Sequence, residues 1–194
     1  MDHKNSQFYN SRAVCYQKIG EFEKAVKDFE KAFELDNQVV YLVNAGQTYE
    51  RLSQVDSGNF AEHLQKAILC YTAVSQKTPG DFRPHINIAN VYSLLGDNVN
   101  ALKHYAIVTQ LDPGNIDSLN GSGMIYLYQM RDYEAASKVF ETIIQSQTQS
   151  SIPWYVYYNA SYAYEAMYYK DLDLKFVQKA KVRDRQDLRI KSKQ

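Results

Sequence analysis

An alanine followed four residues later by an aromatic recurs at Ala25 and Phe29, Ala67 and Tyr71, Ala101 and Tyr105, and Ala136 and Phe140, at steps of 42, 34 and 35 residues. Upstream of each pair runs a second series, a small residue three before a tyrosine: Ala13 and Tyr16, Gly46 and Tyr49, Ala89 and Tyr92, Gly123 and Tyr126, and Ser161 and Tyr164. Spacings of three and four keep each pair on one face of a helix. A period of this size is the mark of a chain built from stacked, self-similar units. The distance from each tyrosine to the next alanine is nine residues in the first and third units, ten in the fourth and eighteen in the second, where nine extra residues sit around "SQVDSGNFA".

Turn signals punctuate the same frame, with "KIGEF" and "LLGDN" inside units and "LDNQ", "TPGD" and "LDPGN" between them. Each unit is therefore a helical hairpin. The small residue of the first helix lets the second come close, and the alanine and aromatic of the second fill the space beside it; large side chains at both positions would overpack the crossing. The pattern predicts ten helices, over residues 6–19, 22–35, 39–53, 60–76, 82–95, 98–110, 116–129, 132–146, 152–168 and 171–188.

The first unit, "FYNSRAVCYQKIGEFEKAVKDFEKAFELDN", resembles the tetratricopeptide repeat at Tyr9, Ala13, Tyr16, Gly20, Phe22, Ala25, Phe29 and Ala32, with Asn37 where that family usually has proline. The third matches at Ala89, Tyr92, Gly96, Ala101, Tyr105 and Pro113, and the fourth at Tyr133, Ala136 and Phe140 with one residue inserted before them. The resemblance implies an all-α fold, a right-handed superhelical solenoid of antiparallel helix pairs with about five repeats, at 6–38, 39–81 with an insertion near 53–61, 82–115, 116–150 and 151–182, in one domain spanning 1–182. The last unit lacks the alanine and aromatic on its second helix, which suits a polar cap at the end of a solenoid. A basic tail at 183–194 follows.

Composition narrows the chemistry. With 45% hydrophobic and 23% charged residues, the chain is suited to burying a core and is not of the disordered class. It has no apolar run of about 18 residues that would span a membrane. The opening "MDHKNSQFYN" resembles neither a secretory signal nor a transit peptide, so the expected compartment is the cytoplasm, with the cytoskeleton or cilium as narrower alternatives. Cys15 and Cys70 are read as buried thiols. His3, His63, His85 and His104 show no zinc-ligand spacing, and no nucleophile motif or phosphate-binding glycine loop is present, so neither metal, cofactor nor catalysis is expected. The glycines of "NGSGM" are assigned to helix packing, with Gly123 at the small-residue position.

In the family, the first helix of each pair lines a concave face. That resemblance places Asn10 and Val14, then Asn44, Gln47 and Arg51, then Arg83, Asn87 and Asn90, then Asn120, Met124 and Tyr128, then Tyr158, Asn159 and Tyr162 in a groove for a partner peptide or helix. Asn44, Asn87 and Asn159 each stand five residues before a tyrosine, a row of amides able to pair with an extended backbone; the rival reading is that asparagine is merely common on this chain's surface. Asn10 and Asn120 are one position earlier, about 100° round the helix. A clamp for an acidic carboxylate, as in the family's heat-shock co-chaperones, is met at Asn44 and Arg83 but missed at Asn10, Val14 and Asn87.

Seven of the seventeen tyrosines lie between Tyr155 and Tyr169, more rings than one core needs, and the surplus is a candidate partner contact. Residues 175–194 carry eight Lys or Arg against Asp184 and Asp187; this end is a candidate for contact with nucleic acid, an acidic filament or anionic lipid, although a solvated cap is the plainer reading. The expected function is a non-catalytic scaffold or adaptor for protein partners. The alternative is a structural subunit of a large ciliary, axonemal or cytoskeletal assembly, attached through its convex face, its insertion and its basic end.

Overall fold

The computed structural model describes residues 5–146 and 151–171. Among them the regular elements are all helical: α1 (Ser6–Lys18), α2 (Phe22–Asp36), α3 (Val39–Val55), α4 (Phe60–Lys77), α5 (Arg83–Leu94), α6 (Asn98–Leu111), α7 (Ile116–Met124), α8 (Tyr133–Ser146) and α9 (Trp154–Asp171). A 3₁₀ turn spans Ser57–Asn59 and a π-helical turn spans Ile125–Met130. The expected helix at 171–188 and the basic tail lie, beyond Asp171, outside the described residues. The chain divides into two compact units, Met1–His104 and Tyr105–Gln194.

In the first unit, α1 packs on α2, α2 on α3, α3 on α4 and α4 on α5. Ala13, Ala25, Phe29 and Ala45 form one apolar cluster, and Leu64, Ala67, Ile68, Tyr71, Ile88 and Val91 form another. Burial of each large side chain here is worth roughly 1.5–3 kcal/mol. The first hairpin has a polar tie as well: Arg12 donates from Nε and Nη2 to the buried Asp28 carboxylate at 2.6 and 2.7 Å. Asn5 starts α1 by accepting from the backbone N–H of Gln7 and Phe8 at 3.0 and 3.3 Å.

In the second unit, α7 packs on α8 and α8 on α9. Leu119, Leu127, Ala136, Phe140, Ile143, Val156, Tyr157 and Ala160 form its core. Across both units every alanine and aromatic of the repeating pair is 4% exposed or less, which is what the hairpin pattern requires of them.

Three of the hairpin turns share one backbone device. Gly20 and Gly96 take the left-handed conformation, with φ of 81° and 76°. Arg131 occupies the corresponding place in the fourth unit and adopts φ 53° without glycine's freedom.

Two departures from the regular repeat resolve differently. The nine extra residues of the second repeat do not loop out. They lengthen α3 and α4 to 17 and 18 residues and form the 3₁₀ turn between them. Asp56 ties that turn, accepting from Asn59 Nδ2 at 2.9 Å and lying 2.9 Å from His63 Nε2. The single extra residue of the fourth unit is taken up inside the helix, where α7 passes into the π-helical turn rather than continuing as α-helix to residue 129.

Candidate functional site

The first unit contains a cleft of about 520 Å³. Its walls come from α3 (Val39, Val40, Val43, Gln47), from Val74 and Thr78 at the end of α4, and from Asp81, Arg83, Pro84, Ile86 and Asn87 at the start of α5. The local sequence explains this. The first turns of α3 and α5, "VVYLV" and "RPHIN", place aliphatic residues ahead of the small residues Gly46 and Ala89 that bind each helix to its partner. Those leading residues reach past the hairpin contact and line the space between successive hairpins of the first unit.

Of the residues expected in a groove, Gln47, Arg83 and Asn87 come together here. Two amides among apolar walls provide donors and acceptors for a backbone, and the valines, Pro84 and Ile86 provide a surface for its side chains. Arg83 is not an open cation. Its Nε lies 2.9 and 3.0 Å from the two Asp81 carboxylate oxygens and its Nη2 lies 2.7 Å from one of them, and this holds the Asp81 carboxyl below the usual range.

The other expected residues of this unit are more varied. Asn44 is half-buried, and its carbonyl accepts from Thr48 Oγ1 at 2.6 Å, to which Gln17 Nε2 also donates at 2.6 Å. Arg51 and Asn90 are exposed. Val14 packs against the Ala13, Ala25 and Phe29 cluster. The carboxamide oxygen of Asn10 is buried with no hydrogen-bond partner, as is that of Asn120 at the equivalent position in the second unit.

In the second unit the expected residues gather on α9 and the π-helical turn. The rings of Tyr128 and Tyr162 lie 5.7 Å apart with planes 20° from parallel, and both remain exposed. The Tyr128 hydroxyl donates to Asn159 Oδ1 at 3.4 Å, and Asn159 Nδ2 donates to Met124 Sδ at 3.1 Å. Asn159 is thus only 6% exposed, with both ends of its amide engaged. Trp154 and Tyr158 extend the same aromatic run, 6.4 Å apart and about half exposed. Burial, with Tyr158 and Tyr162 nearby, pushes the Tyr128 phenol up.

The glycines of "NGSGM" lie inside α7, and both are packing positions. A Cβ at Gly123 would stand 2.8 Å from the Phe140 ring, and one at Gly121 would stand 2.3 Å from Tyr105 Cζ. The role of Gly121 had no signal in the repeat frame. Cys15 is exposed, contrary to the buried thiol expected, because it projects from α1 away from Ala13. Cys70 is half-buried, and burial pushes its thiol up to about 11. Among the described residues no group of three or more His, Cys, Asp or Glu stands close enough to hold a metal ion, and no helix is long and apolar enough to cross a membrane.

The tetratricopeptide repeat pattern matches residues 6–38. Solved structures agree over the length of the chain: MamA 41-end from Desulfovibrio magneticus RS-1 superposes with a TM-score of 0.73 at 13% identity, covering 100% of this chain and 98% of that one. A further MamA crystal structure gives a TM-score of 0.67 at 18% identity over 97% and 96% of the two chains. The first tetratricopeptide domain of Spaghetti (RPAP3), bound to the HSP90 peptide SRMEEVD, gives 0.53 at 18% identity over 67% of this chain and 97% of that one. No curated protein matches the sequence. Residues 6–38 thus match the tetratricopeptide repeat, and the chain as a whole shares the helical fold of these solved structures.

Proposed function

We propose that the protein is a non-catalytic docking module whose first unit holds an apolar-faced segment of a protein partner in the cleft between α3 and α5. The observation carrying this reading is the make-up of that cleft: aliphatic walls from Val39, Val43, Val74, Pro84 and Ile86, with the amides of Gln47 and Asn87 among them. A volume of about 520 Å³ suits two or three aliphatic side chains together with a stretch of backbone. Each such side chain gains roughly 1.5–3 kcal/mol on burial. Much of that is offset by the cost of association, which favours modest affinity and a partner chosen by shape.

An acidic peptide such as SRMEEVD is a poorer fit, because Arg83 is already held by Asp81. Selection from a displayed library of random peptides tests the proposal. Peptides rich in Leu, Ile, Val or Met are expected, with binding lost in Val43→Asp and weakened roughly fivefold in Asn87→Ala, the worth of about 1 kcal/mol for one hydrogen bond. Enrichment of acidic peptides, or selected peptides indifferent to Val43→Asp, would overturn it.

A further inference from the structure

We propose that His85 and His104 form a proton-operated latch that fastens the start of α5 to α6, so that acidification loosens this hairpin and with it one wall of the cleft. The loss of ligand that would follow rests on the docking role proposed above; the latch itself does not.

The geometry is specific. The two Nδ1 atoms lie 3.1 Å apart, with ring centroids 5.3 Å apart and planes 28° from parallel. A centroid separation that large for nitrogens that close leaves the rings almost end to end, each nitrogen near the line joining the ring centres. Such a pair holds one proton: one nitrogen carries it and donates, and the other accepts through its lone pair. A first added proton, taken at the free Nε2 of the donor ring, leaves that bond in place and charge-assisted; only when both rings are charged do two N–H groups point at each other. Metal chelation is not favoured by this arrangement, since the lone pairs face one another and do not converge on a common point.

The surroundings keep both rings from being charged together. Both rings are half-buried, and Tyr92 stacks on His104 at 5.8 Å. Burial lowers the proton affinity of both histidines; His85 and then Lys103 lower that of His104 further. Asp81 favours the charged form of His85, but its carboxylate is engaged by Arg83. His85 sits between Pro84 and Ile86, two residues that line the cleft, so slack in the α5–α6 hairpin is felt at its wall.

The sign follows from linkage. With folded affinities below the ordinary value of about 6.5, the opened chain binds more protons than the closed one as pH drops. The latch is secure above that value and weakens below it.

Amide hydrogen exchange of the whole protein from about pH 7.5 down to about pH 5 reads the latch directly. Protection factors, corrected for the intrinsic pH dependence of exchange, are expected to fall in α5 and early α6 by up to about tenfold per pH unit for one extra proton. The same fall should be absent in His104→Gln and His85→Gln. If either variant failed to fold, the two imidazole resonances of the wild type would decide: they should titrate unequally, at least one well below the ordinary histidine range.

Independent titration of both rings near about 6.5, or a pH profile unchanged in the variants, would overturn the latch. A selected cleft peptide should lose affinity over the same range. Equal binding with the latch open would refute the coupling to the cleft, and binding of no peptide at any pH would refute the docking role while leaving the exchange result to stand.

Discussion

The backbone of Gly46 lies so close against the Tyr71 ring that a Cβ there would stand 2.7 Å from Cε1 and Cζ. This contact is the repeat stated as chemistry: a small residue on the first helix, an aromatic on the second, and no space for both to be large. Gly46→Ala is expected to destabilise the protein by about 1–3 kcal/mol, the usual cost of overpacking. Gly123→Ala, facing Phe140, should cost a similar amount. Gly80→Ala, where nothing lies within 4 Å, is the control and should be close to neutral. Denaturant titration measures all three, and a neutral Gly46→Ala would contradict the packing described.

Arg12 pairs with an aspartate that is 6% exposed. Arg12→Met keeps the apolar stem yet leaves a buried carboxylate alone, and the expected loss is about 3 kcal/mol. Arg12→Met with Asp28→Leu should recover most of it, since the isolated charge is what costs. A loss for Arg12→Met no greater than that of an exposed surface pair would show the tie to be unimportant.

Arg131 takes a left-handed backbone where Gly20 and Gly96 stand in other hairpins. Arg131→Gly is expected to raise stability by about 0.5–1 kcal/mol, because relief of the left-handed strain exceeds the added freedom of the unfolded chain. Thermal unfolding at fixed pH checks the sign.

Glu50 accepts a hydrogen bond from the Tyr71 hydroxyl inside the second hairpin, and burial raises its carboxyl above the usual range despite that bond. A raised acid contributes most below its unfolded value, and that contribution is lost as pH rises through the folded one. Glu50→Gln, which mimics the protonated form, should therefore gain stability relative to wild type on going from about pH 4 to about pH 7. A difference that stays constant over this range would show that Glu50 titrates as an ordinary surface acid.

The hairpins were legible in the sequence because their determinants are local: Gly46, Ala67 and Tyr71 declare a crossing by spacing and size alone. The helix bounds for α1 to α6 follow for the same reason, within two residues. What the spacing could not convey is how a helix absorbs an extra residue. The fourth unit was one residue too long, but whether that residue enters a turn or a π-helical segment depends on packing across α7 and α8. Asn159 shares its offset from tyrosine with Asn44 and Asn87, yet it is covered by Met124 and by Tyr128 of the π-helical turn.

Similarly, of the asparagines expected in a groove only Asn87 borders the cleft, and its apolar walls did not stand out. Val74 and Ile86 look like ordinary core residues until the helices are placed, and only then do they border open space.

The most direct test is to titrate isotope-labelled protein with a peptide selected on it and to map the amide shifts. The largest changes are expected to cluster at Val39, Val43, Gln47, Val74, Ile86 and Asn87. Changes concentrated instead around Tyr128, Trp154 and Tyr162, with the cleft residues unmoved, would contradict it.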